Sequence, residues 1–482
     1  MRRAWLFFLW LCFAALYLLS MGRGFYSSDG DVMFKTTAAL VERHTFTLPP
    51  DPGLPQIVRG HGDSYYSKYD PGLPLIGVPF YAAGNWIGRI NHAHRTHLAA
   101  IAMLTIPALA AATATTGLAA LSAPLTHSTR RALTVALVAG LATPLWPYAR
   151  TLFAESLLAC ALTCSVLLIG RTARLTPGPS GPASPPQRRG VADPVRDGGE
   201  ADRRVFLAGI LFGIGLLTRA ALAVYAPALV LLIVRFSPPR RALRHLITFG
   251  VGTLPFVLGL LWHNNLRFGD PLRFGYAGEG FSTLPWTGIA GLLVGPGKSV
   301  FLFAPPLILA VMLWPRFRRA NAALADFLAL AGGTALVVYG SWWAWGGGWS
   351  WGPRFLVPLM PLSCLPLIAL PDTRGWRRMV IALVMLGFAV QCFAVLTDVT
   401  PHYAAESRNE FAPGDSALIS AIRRISEGKT EPLALFHLRD TGLPPTWTVG
   451  VPLLLVLTLI ASGGMLARAW RTIQEKYPSP RA

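Results

Sequence analysis

HLAAIAMLTIPALAAATATTGLAAL, residues 97–121, runs for 25 positions without one Asp, Glu, Lys or Arg. A helix that crosses a bilayer needs about 20 predominantly apolar residues, so this stretch is long enough and uncharged enough to span. The rest of the chain has the same character. Of its 482 residues, 53% are hydrophobic and 14% charged, and the mean hydropathy is +0.46. Soluble domains carry about 25% charged residues. A water-soluble enzyme, a secreted disulfide scaffold and a single-anchor protein are therefore excluded. The five cysteines, Cys12, Cys160, Cys164, Cys364 and Cys392, all fall in apolar runs, where a thiol behaves as a small hydrophobe.

Working outward from 97–121, further spans are expected at 4–21, 132–147, 152–170, 205–218, 220–235, 246–262, 299–314, 322–342, 355–370, 379–396 and 447–468. The sequence thus predicts an all-α polytopic membrane protein of about twelve transmembrane helices, one domain over 1–482, with both termini on one side. The first span follows Arg2 and Arg3 and lacks a small-x-small cleavage site, which reads as a retained signal anchor. Residues 73–90 are apolar but broken by Pro74, Gly77, Pro79, Gly84 and Gly88, and are expected to lie in the interface.

The formal charge of +20 invites a nucleic-acid reading, but location decides its meaning. With 73–90 interfacial, 25 of the 43 basic residues fall in segments on one side, and 16 of the 23 acids fall on the other. The basic side is cytoplasmic by the positive-inside rule, so the excess is an orientation signal and no nucleic-acid partner is expected. Segment 171–204, dense in Pro, Gly and Arg, reads as a disordered cytoplasmic linker. Three outer segments are long enough for chemistry: 22–96, 263–298 and 397–446. In the first, Pro49, Pro50, Asp51, Pro52 and Gly53 are expected to divide short amphipathic helices lying on the membrane.

The candidate chemistry lies on the outer face. Asp29 and Asp31 follow the first span directly, and carboxylates near lipid are costly unless paired, hydrated or used. Each also reads as a helix cap. Lys68 and Tyr69 stand in YYSKYDPGLPL (65–75), Glu155 closes LWPYARTLFAE (145–155), and Arg219 sits in the LTR turn (217–219) with no acid near it in sequence. Glu155 also reads as a structural partner of Arg150. Asn264 and Arg267 belong to NNLRFGDPLRFGY (264–276), Lys298 to GPGKS (295–299), and Trp345 and Arg354 to WGGGWSWGPRF (345–355). GPGKS fails as a nucleotide loop because Gly291 precedes Gly297 by one residue too many; a helix N-terminus with a lysine remains a generic anion seat. His92, His94 and His97 cannot share one helix face, so no metal site is assigned.

Taken in order, these motifs resemble the GT-C glycosyltransferase superfamily, and more closely the phospholipid-carrier-dependent transferases related to the protein mannosyltransferase and aminoarabinose transferase group. The resemblance implies a GT-C-type bundle with amphipathic juxtamembrane helices on the outer face. It implies a sugar donor on a polyprenyl phosphate, a lipid or glycan acceptor held among membrane lipids, and an acidic catalytic base in the first outer loop, which matches Asp29. Members often show two adjacent acids there, whereas this chain has Asp29, Gly30, Asp31. Members also differ in their use of a divalent cation, so a cation stays possible. The chemistry fits from below: inverting displacement needs a base for the acceptor hydroxyl and cations for the departing phosphate. Asp29 is expected as base, with Asp31 and Glu155 beside it as catalytic candidates. Lys68, Tyr69, Arg219, Asn264, Arg267, Lys298, Trp345 and Arg354 are expected to contact substrate. A bacterial cytoplasmic-membrane enzyme with its site facing outward follows. The competing classes are a polyprenyl-lipid flippase and a glycan ligase or polymerase.

Overall fold

The protein, seen as a computed structural model, is described over residues 4–22, 24–90, 92–172, 194–398, 400–404, 409–431 and 443–476, with 433, 435 and 438 between the last two stretches. Among these residues five helices are long and apolar enough to cross a membrane: His92–Thr126, Pro239–Phe268, Ala322–Ser341, Arg374–Leu396 and Pro445–Arg468. Shorter apolar helices, including Ala4–Leu19 and Glu155–Gly170, accompany them.

Five of the twelve expected spans are not single helices: 220–235 lies in Ala220–Tyr225 and Ala226–Phe236, 447–468 lies in Pro445–Thr448 and Gly450–Lys476, and three more are divided at prolines. Segment 132–147 divides into Thr129–Leu141 and Leu145–Ala149, and 299–314 into Val300–Phe303 and Leu307–Ala320. Segment 355–370 becomes Arg354–Leu359, Met360–Ser363 and Leu365–Ala369. Proline is the physical reason. Pro144, Pro305, Pro306, Pro361 and Pro366 fall at or beside these breaks, and each lacks an N–H and crowds the preceding turn. Of the linker expected at 171–204, residues 173–193 lie outside the described residues, while 194–204 are the start of helix Pro194–Thr218.

The centre of the bundle is α4 (Arg95–Thr126), which follows α1 (Ala4–Leu19), α2 (Ser28–Arg43) and α3 (Gly72–Ile87) in the chain and packs directly on α1 and α3. Its Ala108, Ala111, Ala112, Ala114 and Ala119 are fully buried, and such small side chains let neighbouring backbones approach. Helices Pro194–Thr218 and Pro239–Phe268 approach just as closely, through glycine. A Cβ on Gly209 would lie 2.2 Å from the Phe249 carbonyl oxygen, and one on Gly252 would lie 2.4 Å from that of Phe206. Farther round Pro239–Phe268, Leu243, Ile247, Val251, Leu254, Leu258 and Trp262 recur at helical spacing and are all exposed, an apolar stripe facing away from the protein.

The chain leaving α1 is tied down before it reaches α2. Gly22 N–H donates to the Arg150 carbonyl at 3.1 Å, and Trp146 Nε1 donates to Ser20 Oγ at 2.9 Å. Ser27 then caps α2, its Oγ accepting from Gly30 N–H at 3.1 Å, which satisfies one of the orphan donors of the first turn. In the first outer segment α2 and α3 are the helices, and between them, which the sequence did not predict, three short strands form: β1 (Thr47–Leu48), β2 (Ile57–Arg59) and β3 (Tyr65–Ser67). Their order is β1-β3-β2, all antiparallel, with Tyr66 opposite both Thr47 and Val58. This small sheet delivers Lys68, Tyr69 and Asp70 to the mouth of the bundle, and α3 begins immediately after them.

Candidate active site

Asp29 stands in the first turn of α2, and that turn rests on the one that carries Glu155. A Cβ on Gly30 would come within 3.2 Å of the Leu152 carbonyl oxygen. From opposite directions Arg354, at the start of the Arg354–Leu359 turn, and Arg219, extended between Thr218 and Ala220, close on the two acids. Arg354 Nη2 lies 2.5 Å from Asp29 Oδ2, and Arg354 Nε lies 2.6 Å from Glu155 Oε1. Arg219 Nη1 lies 2.7 Å from the same Glu155 oxygen, and its Nη2 is 3.8 Å from Asp29 Oδ2. The Tyr69 hydroxyl donates to Asp29 Oδ1. Asp29, Glu155 and Arg354 are 7%, 1% and 6% exposed.

Burial pushes the Asp29 carboxyl up, but the Arg354 and Arg219 guanidiniums and the Tyr69 hydroxyl outweigh it and hold the group below the usual carboxylate range. Burial and the Asp29 charge raise the Tyr69 hydroxyl well above its ordinary value, so it stays a donor. Two carboxylates and two guanidiniums leave this core without net charge. One of its atoms is spare: among the described residues, Glu155 Oε2 has no hydrogen-bond partner. The face of Phe153 backs Arg354, its ring centre 4.2 Å from the guanidinium carbon, a cation–π contact.

A second layer holds Tyr69 in place. Arg267 Nη1 donates to the carbonyls of Ser67 and Tyr69, at 2.7 and 2.9 Å, while its Nη2 donates to Asn264 Oδ1 at 2.6 Å. Asp70 Oδ2 accepts from Ala220 N–H at 2.7 Å, so the residue after Tyr69 is bound to the residue after Arg219. Gly72 completes the joint, since a Cβ there would lie 2.4 Å from the Thr218 nitrogen. Burial lifts the Asp70 carboxyl to about 6, against the pull of the Ala220 N–H and of Arg267, 3.9 Å away. Asn264 and Arg267 therefore support the site rather than line it, and Asp70, inside a quoted motif but not singled out, belongs to the same support.

Four expected residues stand elsewhere. Asp31 pairs with Lys35 at 3.1 Å, and Lys35 also meets Asp51 at 3.1 Å, on a half-exposed face of α2. Lys68 Nζ pairs with Glu279 Oε1 at 2.7 Å, and the second oxygen of Glu279 accepts from Trp343 Nε1 at 3.1 Å. Trp345 packs over Gly291 and faces the Phe411 ring at 5.5 Å. Lys298 is fully buried beneath the Trp-Gly loop, its Nζ donating to the Ser350 carbonyl at 2.8 Å and the Gly348 carbonyl at 3.2 Å, with Glu410 at 3.9 Å. Burial lowers the Lys298 ammonium to about 8, with Glu410 opposing the shift. Arg150 is not the partner of Glu155. It donates to the carbonyls of Ser20 and Ala394, at 3.2 and 2.8 Å.

Among the described residues no three His, Cys, Asp or Glu side chains are grouped to hold a metal ion. Asp29 and Glu155 are committed to guanidiniums and a hydroxyl, a donor set that does not fit a divalent cation.

No protein-family model matches the sequence, and no curated protein matches it. Solved structures do. ArnT from Cupriavidus metallidurans in the apo state is 15% identical with a TM-score of 0.51, over 94% of this chain and 75% of that one. The same protein bound to undecaprenyl phosphate is 16% identical with a TM-score of 0.51, over 97% and 78%. At a TM-score of 0.48 and 11% identity, the likeness to the archaeal oligosaccharyltransferase AglB from Archaeoglobus fulgidus is too slight to build on. The fold is thus the one that ArnT shows, with five helices, among the described residues, long and apolar enough to cross a membrane. The likeness to ArnT runs over most of both chains.

Proposed function

We propose that this chain is an inverting glycosyltransferase that moves a sugar from a polyprenyl-phosphate donor to an acceptor hydroxyl at the outer face of a bacterial cytoplasmic membrane. The observation that carries the reading is the buried core in which one carboxylate, Asp29, is flanked by Arg354 and Arg219 and by the Tyr69 hydroxyl. The likeness in fold to ArnT, which has been captured with undecaprenyl phosphate, supports the donor class. The positive-inside pattern supports the orientation.

In the proposed reaction the acceptor oxygen attacks the anomeric carbon from the face opposite the phosphate. Asp29 takes the acceptor proton. The bond from the anomeric carbon to the phosphate oxygen breaks with its electron pair on that oxygen, so a phosphodiester monoanion becomes a phosphomonoester dianion. Arg219 and Arg354 are the cations placed to meet the added charge. Tyr69 orients Asp29 through its hydrogen bond. Lys298 is left out of this set because its ammonium is spent on backbone carbonyls.

The test is mass spectrometry of polyprenyl-phosphate lipids from a deletion background expressing the wild type or Asp29→Asn. A single polyprenyl-phosphate sugar should accumulate with Asn and fall with the wild type, and its mass would name the donor. A lipid pool identical in both strains would sink the transferase reading and favour a flippase or a glycan ligase.

A further inference from the structure

Arg354 is held from two sides, through Nη2 by Asp29 and through Nε by Glu155. Arg219 grips the same oxygen of Glu155 but stands 3.8 Å from Asp29. Glu155 therefore anchors both guanidiniums without help from Asp29, and its second oxygen is idle. The bond from Arg354 to Asp29 can therefore be surrendered while Glu155 still holds both guanidiniums.

Charge makes that surrender useful. The core is neutral as it stands, and a phosphodiester would add a negative charge to a buried place where an unpaired charge is expensive. A guanidinium fork matches phosphate geometry at least as well as it matches a carboxylate. A phosphate arriving beside Arg354 thus competes with Asp29 for Nη2.

We propose, resting on the transferase reading, that Arg354 changes partner during the cycle. It is paired to Asp29 in the empty protein and to the donor phosphate in the loaded one, with Glu155 as the pivot that holds it throughout. Losing Arg354 converts Asp29 from an ion-pair partner into a base. Asp29 is then reactive only when a donor is seated, and Glu155 is a positioning residue that acts through Arg354. The other groups that face Asp29 do not move in this scheme: Arg219 from the turn before Ala220, Tyr69 from the segment before α3, and the more distant Tyr148 and Tyr276.

The exchange is read without turnover, by infrared difference titration of the Asp29 carboxyl in the full-length protein in nanodiscs, with Asp29→Asn subtracted. Undecaprenyl phosphate and inorganic phosphate are the two probes. With phosphate bound, the carboxyl should titrate about one to three pH units higher, the range expected on loss of a close opposite charge. Glu155→Gln should lose that response and Glu155→Asp should regain part of it, which a purely structural role would not produce. A carboxyl that titrates at the same pH with and without both probes overturns the exchange, even in a protein that transfers sugar. A response to inorganic phosphate alone keeps the exchange and removes the carrier-lipid reading. A wild-type response in Glu155→Gln removes Glu155 as the pivot; if that variant does not fold, the wild-type titration alone decides the exchange.

Discussion

Arg354 and Lys298 are both buried cations beside the same glycine-rich loop, and from sequence both read as phosphate contacts. Their surroundings separate them. Arg354 is hydrogen-bonded to carboxylates, Asp29 at 2.5 Å and Glu155 at 2.6 Å, whereas Lys298 donates to the carbonyls of Gly348 and Ser350 and has the Glu410 carboxylate only at 3.9 Å. A cation neutralised by a carboxylate can trade that partner for another anion of equal charge. A cation solvated by its own backbone cannot leave without stranding buried carbonyls, each of which costs about 1–3 kcal/mol when unsatisfied. The first arrangement suits chemistry, and the second fixes a loop.

The largest effect expected from this contrast is at Asp29. Asp29→Asn should lower transfer by about 10²–10⁴-fold, the usual worth of a general base, while the purified protein still elutes as a folded species. Turnover near wild type would remove Asp29 as base. Next come the two cations, which should fail in opposite ways. Arg354→Gln should give a folded protein with transfer lost, whereas Lys298→Met should lower thermal stability and yield while its folded fraction keeps most of its transfer activity. A Lys298→Met protein as stable as wild type but inactive would erase the distinction.

A smaller effect is expected at Asp70, and its sign follows from linkage. Its carboxyl is raised to about 6 in the folded protein, so the folded state holds the proton more tightly than the unfolded state. The group therefore costs stability as pH rises from about 4 to 6. Asp70→Asn, which keeps an acceptor for Ala220 N–H, should melt a few degrees above wild type at pH 7.5, and the gap should narrow at pH 4.5. A gap that widens on acidification would contradict the assignment. Asp31→Asn should be the mildest change. Its pairing with Lys35 is more than a third exposed, such pairs contribute little, and transfer should stay within about twofold of wild type.

Much of this was legible in the sequence. Span-length apolar runs require only local reading, and Asp29, Glu155, Arg219 and Arg354 stand out because a charge at the rim of a membrane helix demands an explanation. What could not be read was pairing. Nothing within a few residues of Glu155 points to Arg354, 199 positions away, and the nearby Arg150 looked the better partner until the carbonyls of Ser20 and Ala394 claimed it. The strands at 47–67 escaped because two or three residues are too few to show alternation. The broken spans escaped because summed hydropathy counts a proline as one residue among many, although it deletes a backbone donor.

The contact of Gly209 and Gly252 with the facing backbones has a mechanical meaning. Where two helices touch with nothing between them, the crossing is a fulcrum, and each helix beyond it is a lever arm. Thr218, the last residue of one arm and the one that hands over to Arg219, lies about 14 Å past the fulcrum, and Arg267 lies about 22 Å past it along the other, at 1.5 Å per residue. The only play in the joint would come from a methyl group. A Gly209→Ala change, far from any charge, would splay the arms and be magnified at their tips, where a guanidinium must meet a carboxylate to within a few tenths of an ångström.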